Sequence, residues 1–137
     1  MNTSTLTPIA PMSSMPAEAS SSAICANVLD SIHDQLAGRL EDRLIVVNLD
    51  EADKVIGFQI VALGEEVRSV REAHVFSSTL LCGADGIVLV RVCSGIVPEK
   101  EGRDAAARMA RAAEFFEVRL VDYVVVDGEG RRSFAKG

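Results

Sequence analysis

The sequence predicts an α/β fold in which a mixed β-sheet carries flanking helices, and two observations lead to it. First, the apolar runs 44–49 and 55–62 flank a polar segment, Asp50-Glu51-Ala52-Asp53, which is the pattern of an antiparallel hairpin. Second, an apolar run over 87–92, an alanine-rich segment over 104–117 and a long apolar run over 118–126 follow one another. A strand, a helix and a strand of these lengths make a crossover that returns the chain parallel to itself. A sheet that contains both pairings is mixed.

The helices follow from apolar spacing. Ile24, Val28, Ile32, Leu36 and Leu40 recur every four residues, a single stripe on a first helix that Ser21 or Ser22 is expected to cap. His33 and Asp34 fall off that stripe. A second helix over 70–82 is expected to turn Ala73, Phe76 and Leu80 inward and Arg71, Glu72 and His74 to water. Gly83-Ala84-Asp85-Gly86 supplies turn-tolerant residues to end it. The run Ile87-Val88-Leu89-Val90 is too short to span a membrane and reads as a buried strand. In the third helix Ala105, Met109, Ala112, Ala113 and Phe116 share a face, with Arg103, Arg108 and Arg111 largely elsewhere. Small residues on the inner face predict close approach to the sheet.

Composition bounds the organisation and the partners. A chain of 137 residues, 48% hydrophobic and 25% charged, suffices for one core and not for two. Residues 1–21 are rich in Ser, Thr, Pro and Ala without apolar periodicity, so they are expected to form a disordered arm before a domain over 22–137. The leader has no basic start followed by a continuous apolar core, which argues against a secretory signal and for a soluble, cytoplasmic protein with no membrane partner. Cys25, Cys82 and Cys93 include no Cys-x-x-Cys pair, which argues against a disulfide framework or zinc knuckle. Cys25 and Cys82 are expected as buried thiols on apolar helical faces. With 14 Lys+Arg against 20 Asp+Glu, the formal net charge is −6, which disfavours contact with a phosphate backbone. The absence of Trp and the single tyrosine, Tyr123, offer little for base stacking. The expected partner is therefore another protein, a second copy of the chain included, rather than nucleic acid.

The chemistry-bearing stretch is 87–104, IVLVRVCSGIVPEKEGRD. Arg91 and Cys93 share one face of the strand end because side chains alternate with period two. Asp104 follows eleven residues later, at the expected start of the third helix after a loop holding Pro98 and Gly102. This stretch resembles the RadC family of JAMM-type (JAB or MPN) domains, whose motif is His-x-His, a short Pro/Ser/Gly loop and an Asp, usually with zinc. Without a gap, Arg91 and Cys93 fall on the two histidines and Asp104 on the aspartate. The segments LIVVNLD (44–50), VIGFQIVALG (55–64), Val75-Phe76 with Leu80, RLVDYVVV (119–126) and Ser133-Phe134-Ala135 follow the order and spacing of a RadC domain.

The resemblance implies a JAMM/MPN, cytidine-deaminase-like architecture and a zinc hydrolase with a glutamate base, a position that falls at Gln59 or its neighbour. Here the residues depart from it. Arginine is permanently charged and repels a cation. Cys93 and Asp104 together make only two ligands. An amide at Gln59 cannot take a proton from water as a carboxylate does. Ser94 and Gly95 lie one position off the family's Ser-Gly pair. Proximity to Arg91 would lower the Cys93 pKa and make the thiol reactive, although a silent cysteine is the first expectation. Asp104 reads first as a helix cap.

No catalytic residue, metal or cofactor is therefore expected, and Arg91, Cys93, Ser94, Glu99 and Asp104 remain as candidate binding residues. The expected function is a catalytically inactive protein-binding module, an accessory protein of a bacterium or mobile element. One alternative is an acidic inhibitor of a host defence complex of the CRISPR or restriction type, which would use the acidic runs at 30–34, 41–42, 50–53 and 65–66. Another is a residual hydrolase rebuilt on Cys93 and Asp104.

Overall fold

The aliphatic runs build the sheet. In the computed structural model, which describes residues 17–36 and 41–134, β1 (Arg43–Leu49) and β2 (Val55–Leu63) form the antiparallel hairpin. The Asp50 carboxylate accepts the backbone N–H of Ala52 at 2.8 Å and of Lys54 at 2.9 Å, while Asp53 takes a left-handed φ of 63°. This is why a short polar segment can reverse the chain. β3 (Gly86–Val92) joins β1 antiparallel, and β4 (Arg119–Asp127) joins β3 parallel. The intervening helix α5 (Glu99–Phe116) is the expected crossover. A fifth strand, β5 (Gly130–Ser133), pairs with β4, and the sheet order is β2-β1-β3-β4-β5. The β5 residues, Gly-Arg-Arg-Ser on an edge, have no apolar alternation from which a strand would be predicted.

Both faces of the central strands are covered. Every residue of β1 and of β3 is buried, as expected for strands with a layer on each side. Alternation sorts them into two cores. Leu44, Val46, Ile87 and Leu89 pack with Phe76 and Met109 on one face, beneath α4 (Glu72–Leu81) and α5. Ile45, Val47, Val88, Val90 and Val92 pack with Val28, Leu29 and Ile32 of the α1 (Ala17–Ser31) layer on the other. Cys25 fastens this layer: its thiol donates to the buried Asp122 carboxylate of β4 at 2.9 Å. Burial first and then Asp122 push the thiol pKa up to about 12, so Cys25 is a neutral donor.

Several helix details differ from expectation. Helix α1 starts upstream of Ser21 and Ser22, which lie within it and are not its caps. Val28 and Ile32 are buried as the stripe requires, Leu36 lies in the separate short helix α2 (His33–Leu36), and Leu40 lies outside the described residues. In α4 the inner face is Val75, Phe76 and Thr79, whereas Leu80 is 49% exposed and Cys82 is exposed. The inner position opposite β1 is polar because Thr79 donates to Asn48 at 2.9 Å, and a threonine on the core stripe conceals the helix phase from an apolar count. A further turn, α3 (Glu66–Ser69), leads from β2 toward α4. Among the described residues no helix is long and apolar enough to cross a membrane.

Candidate functional site at the end of β3

Strand parity places Arg91 on the α5 face, in line with Ile87 and Leu89 and opposite Leu44 and Val125. Its side chain is 3% exposed. A guanidinium at that depth needs a counter-charge, and Glu101 supplies it: Arg91 Nη2 donates to Glu101 Oε2 at 2.9 Å. Arg68 approaches the same oxygen at 3.8 Å. Burial works against the Arg91 charge, but the Glu101 carboxylate and the neighbouring Tyr123 outweigh it and hold the pKa above the ordinary arginine value. The Arg91 Nε has no hydrogen-bond partner.

Glu101 reaches Arg91 because α5 starts five residues earlier than the sequence reading places it. Pro98, with φ −58° and ψ 146°, is the N-cap, and Glu99 and Glu101 occupy the first turn, where carboxylates favour the helix dipole. Gly102 is therefore helical, and a Cβ there would meet the Phe134 ring at 2.7 Å. Asp104 is not a cap. It lies in the second turn with its side chain 67% exposed, paired with Lys100 at 2.9 Å.

The loop from 93 to 98 is tied down from outside itself. Asp42 accepts the Cys93 thiol at 3.4 Å and the Ser94 backbone N–H at 3.2 Å. Asp127 accepts the Val97 N–H at 2.8 Å, and Arg132 Nη2 bridges Asp127 at 2.6 Å and the Val97 carbonyl at 2.7 Å. The expected lowering of the Cys93 pKa is reversed. Burial and Asp42 raise it, and the Gly95 N–H and Arg91 only partly oppose them. Ser94 is exposed, and Glu99 pairs with Arg103 at 3.1 Å. Gln59 is exposed on β2, opposite Val46 and hence Leu89. It shares the sheet face of Arg91 but lies one same-face position along the strand from it.

Of the residues singled out from sequence, Arg91 and Asp104 line one cavity of about 460 Å³, and Cys93, Ser94, Glu99 and Gln59 do not line it. The partners missed were Glu101 and Asp42. Reading Pro98 as a helix start would have placed Glu101 one turn from the strand end; nothing local signals Asp42, which is 51 residues from Cys93.

The model of the family described as RadC-like JAB domain matches residues 20–137. The chain belongs to this family. Comparison with curated proteins finds no match to it. In this RadC-like JAB domain the mixed sheet with flanking helices is the α/β fold of the family. The three residues that the resemblance sets against metal ligands, Arg91, Cys93 and Asp104, are not a donor set suited to a divalent cation. One is a buried guanidinium, one is a thiol engaged with Asp42, and one is a solvent-facing carboxylate engaged with Lys100. Among the described residues no three His, Cys, Asp or Glu form a group that could hold a metal ion.

Proposed function

We propose that this RadC-like JAB domain is a non-hydrolytic, metal-free member that works as a protein-binding module. The Arg91–Glu101 pair carries this reading. A fixed positive charge stands where the family resemblance puts the first histidine, and its counter-ion comes from the chain itself at 2.9 Å. A metal ion there would meet repulsion from the guanidinium rather than a lone pair. Gln59, at or beside the position of the general base, has no basic carboxylate to activate water.

Binding to protein is supported by one edge of the sheet, which is unpaired among the described residues. β2 is an edge strand, and Ile56, Phe58 and Ile60, which alternate on one of its faces, are 51%, 40% and 40% exposed. A strand edge with exposed apolar side chains is a template for an added strand. A second copy of the chain can supply that strand around a two-fold axis. Native mass spectrometry of the purified protein tests both parts. The expected masses are metal-free, with a dimer or partner complex that Phe58→Lys disperses. Stoichiometric zinc would overturn the metal-free reading, and complexes indifferent to Phe58→Lys would overturn the β2 surface.

A further inference from the structure

The cavity beside Arg91 inverts the charge of the chain. In a protein of net charge −6, Arg68, Arg91, Arg108 and Arg111 line it against two carboxylates, Glu101 and Asp104. Its apolar walls include Val70 and Met109, and Tyr123 lies beside the guanidinium. Its volume, about 460 Å³, lies within the range typical of small-molecule sites, with the usual combination of apolar walls and a few converging polar groups.

Arg91 gives the cavity a fixed recognition element. It is 3% exposed, its Nη2 donates to the Glu101 carboxylate at 2.9 Å, Tyr123 is a further hydrogen-bonding neighbour, and its Nε has no partner. Guanidinium presents five donors in a planar fork suited to two oxygens of a carboxylate or phosphate. Glu101, one-third exposed, already occupies that fork from the chain's own side, as an internal carboxylate that another oxyanion can compete with. Arg108 is held in place at the cavity wall by the Val70 carbonyl at 3.3 Å and Glu72 at 3.1 Å.

We infer that this cavity binds a small organic oxyanion, its acid group on Arg91 and Arg68 and its apolar body against Val70 and Met109. The cavity is larger than a bare oxyanion needs, so the ligand has a body. This goes beyond the protein-binding reading and does not depend on it, since a ligand can occupy the cavity whether or not β2 recruits a partner.

Thermal-shift and calorimetric titration of the full chain at constant ionic strength test it, with phenyl phosphate, benzoate, inorganic phosphate and neutral benzyl alcohol as probes. Phenyl phosphate or benzoate is expected to stabilise the protein saturably, and which of the two binds more tightly identifies the acid group. Inorganic phosphate is expected to bind more weakly, and benzyl alcohol not to bind. Arg91→Met and the rim variant Arg68→Ala are each expected to weaken binding about tenfold, the size of one lost charge-assisted hydrogen bond. Arg68 is 73% exposed, so its variant keeps the test valid if Arg91→Met does not fold. Glu101→Gln is expected to tighten binding, which a merely structural Glu101 would not do. The inference is overturned if neither organic anion binds at millimolar concentrations, if benzyl alcohol binds as well as they do, or if Arg68→Ala and Glu101→Gln both leave affinity unchanged.

Discussion

The two faces of the sheet are built from the same strands and meet different fates. On the α1 face, the central residues of β1 and β3, Ile45, Val47, Leu49, Val88, Val90 and Val92, are aliphatic and α1 and its flanks close over them, with the buried Arg43 at the outer end of β1, opposite Val92, donating to the neutral Gln35 at 3.1 Å. On the α4/α5 face each of these strands also carries a polar residue, Asn48 on β1 and Arg91 on β3. Asn48 is met by Thr79, a neutral partner at 2.9 Å that is itself fully buried. Arg91 is met by a charge, and beside it the packing opens into a cavity. A neutral polar pair can be sealed in a core. A charged pair keeps an edge in water, because complete desolvation of both ions costs more than their attraction returns.

The largest expected effect comes from removing the counter-charge. Glu101→Leu leaves a buried guanidinium without its carboxylate and is expected to cost about 3 kcal/mol by chemical denaturation. Arg91→Met is expected to cost less, because the released Glu101, one-third exposed, can turn to water. The reverse order would show that Arg91 is not the buried member that needs compensation.

Next is the clamp on the open end. Burial tends to raise the Asp127 pKa, but the N–H groups of Val97 and Glu129 and the Arg132 guanidinium prevail and hold it below its ordinary value of 3.8. A folded-state pKa that is depressed contributes stability above the unfolded value, and this is lost as pH falls through the folded one. Asp127→Asn is therefore expected to cost about 2 kcal/mol at neutral pH, with variant and parent converging in acid. A gap that persisted at low pH would remove the charge from the explanation. Thr79→Val leaves the Asn48 carbonyl without its donor in the sealed region, an expected loss of about 1 kcal/mol that is insensitive to salt. The smallest is Asp104→Ala, which breaks only an exposed pair with Lys100 and is expected to change stability by less than about 0.5 kcal/mol. A fall in bound metal in that variant would instead restore Asp104 as a ligand.

The sheet centre and the crossover were legible because buried strands must be written in β-branched and aliphatic residues, and runs such as 44–49 and 87–92 have no other reading. The start of α5 was not. Its first turns, EKEGRD, contain charges and a glycine that look like a loop, and the glycine is there for Phe134, a neighbour set by the fold. The same error hid Glu101, since its meeting with Arg91 depends on where the helix begins. The family resemblance points to Arg91, but the direction of the Cys93 shift depends on burial first and then on Asp42, the residue that precedes β1.

The clamped loop has a kinetic consequence. The amides of Ser94 and Val97 are donated to carboxylates that belong to other parts of the chain, so the segment can open only when the ends of β1 or β4 open with it. It acts as a rigid spacer of fixed length between β3 and the first turn of α5. Slow hydrogen exchange at those two amides, in a segment with no regular secondary structure, would mark it as part of the same cooperative unit as the sheet.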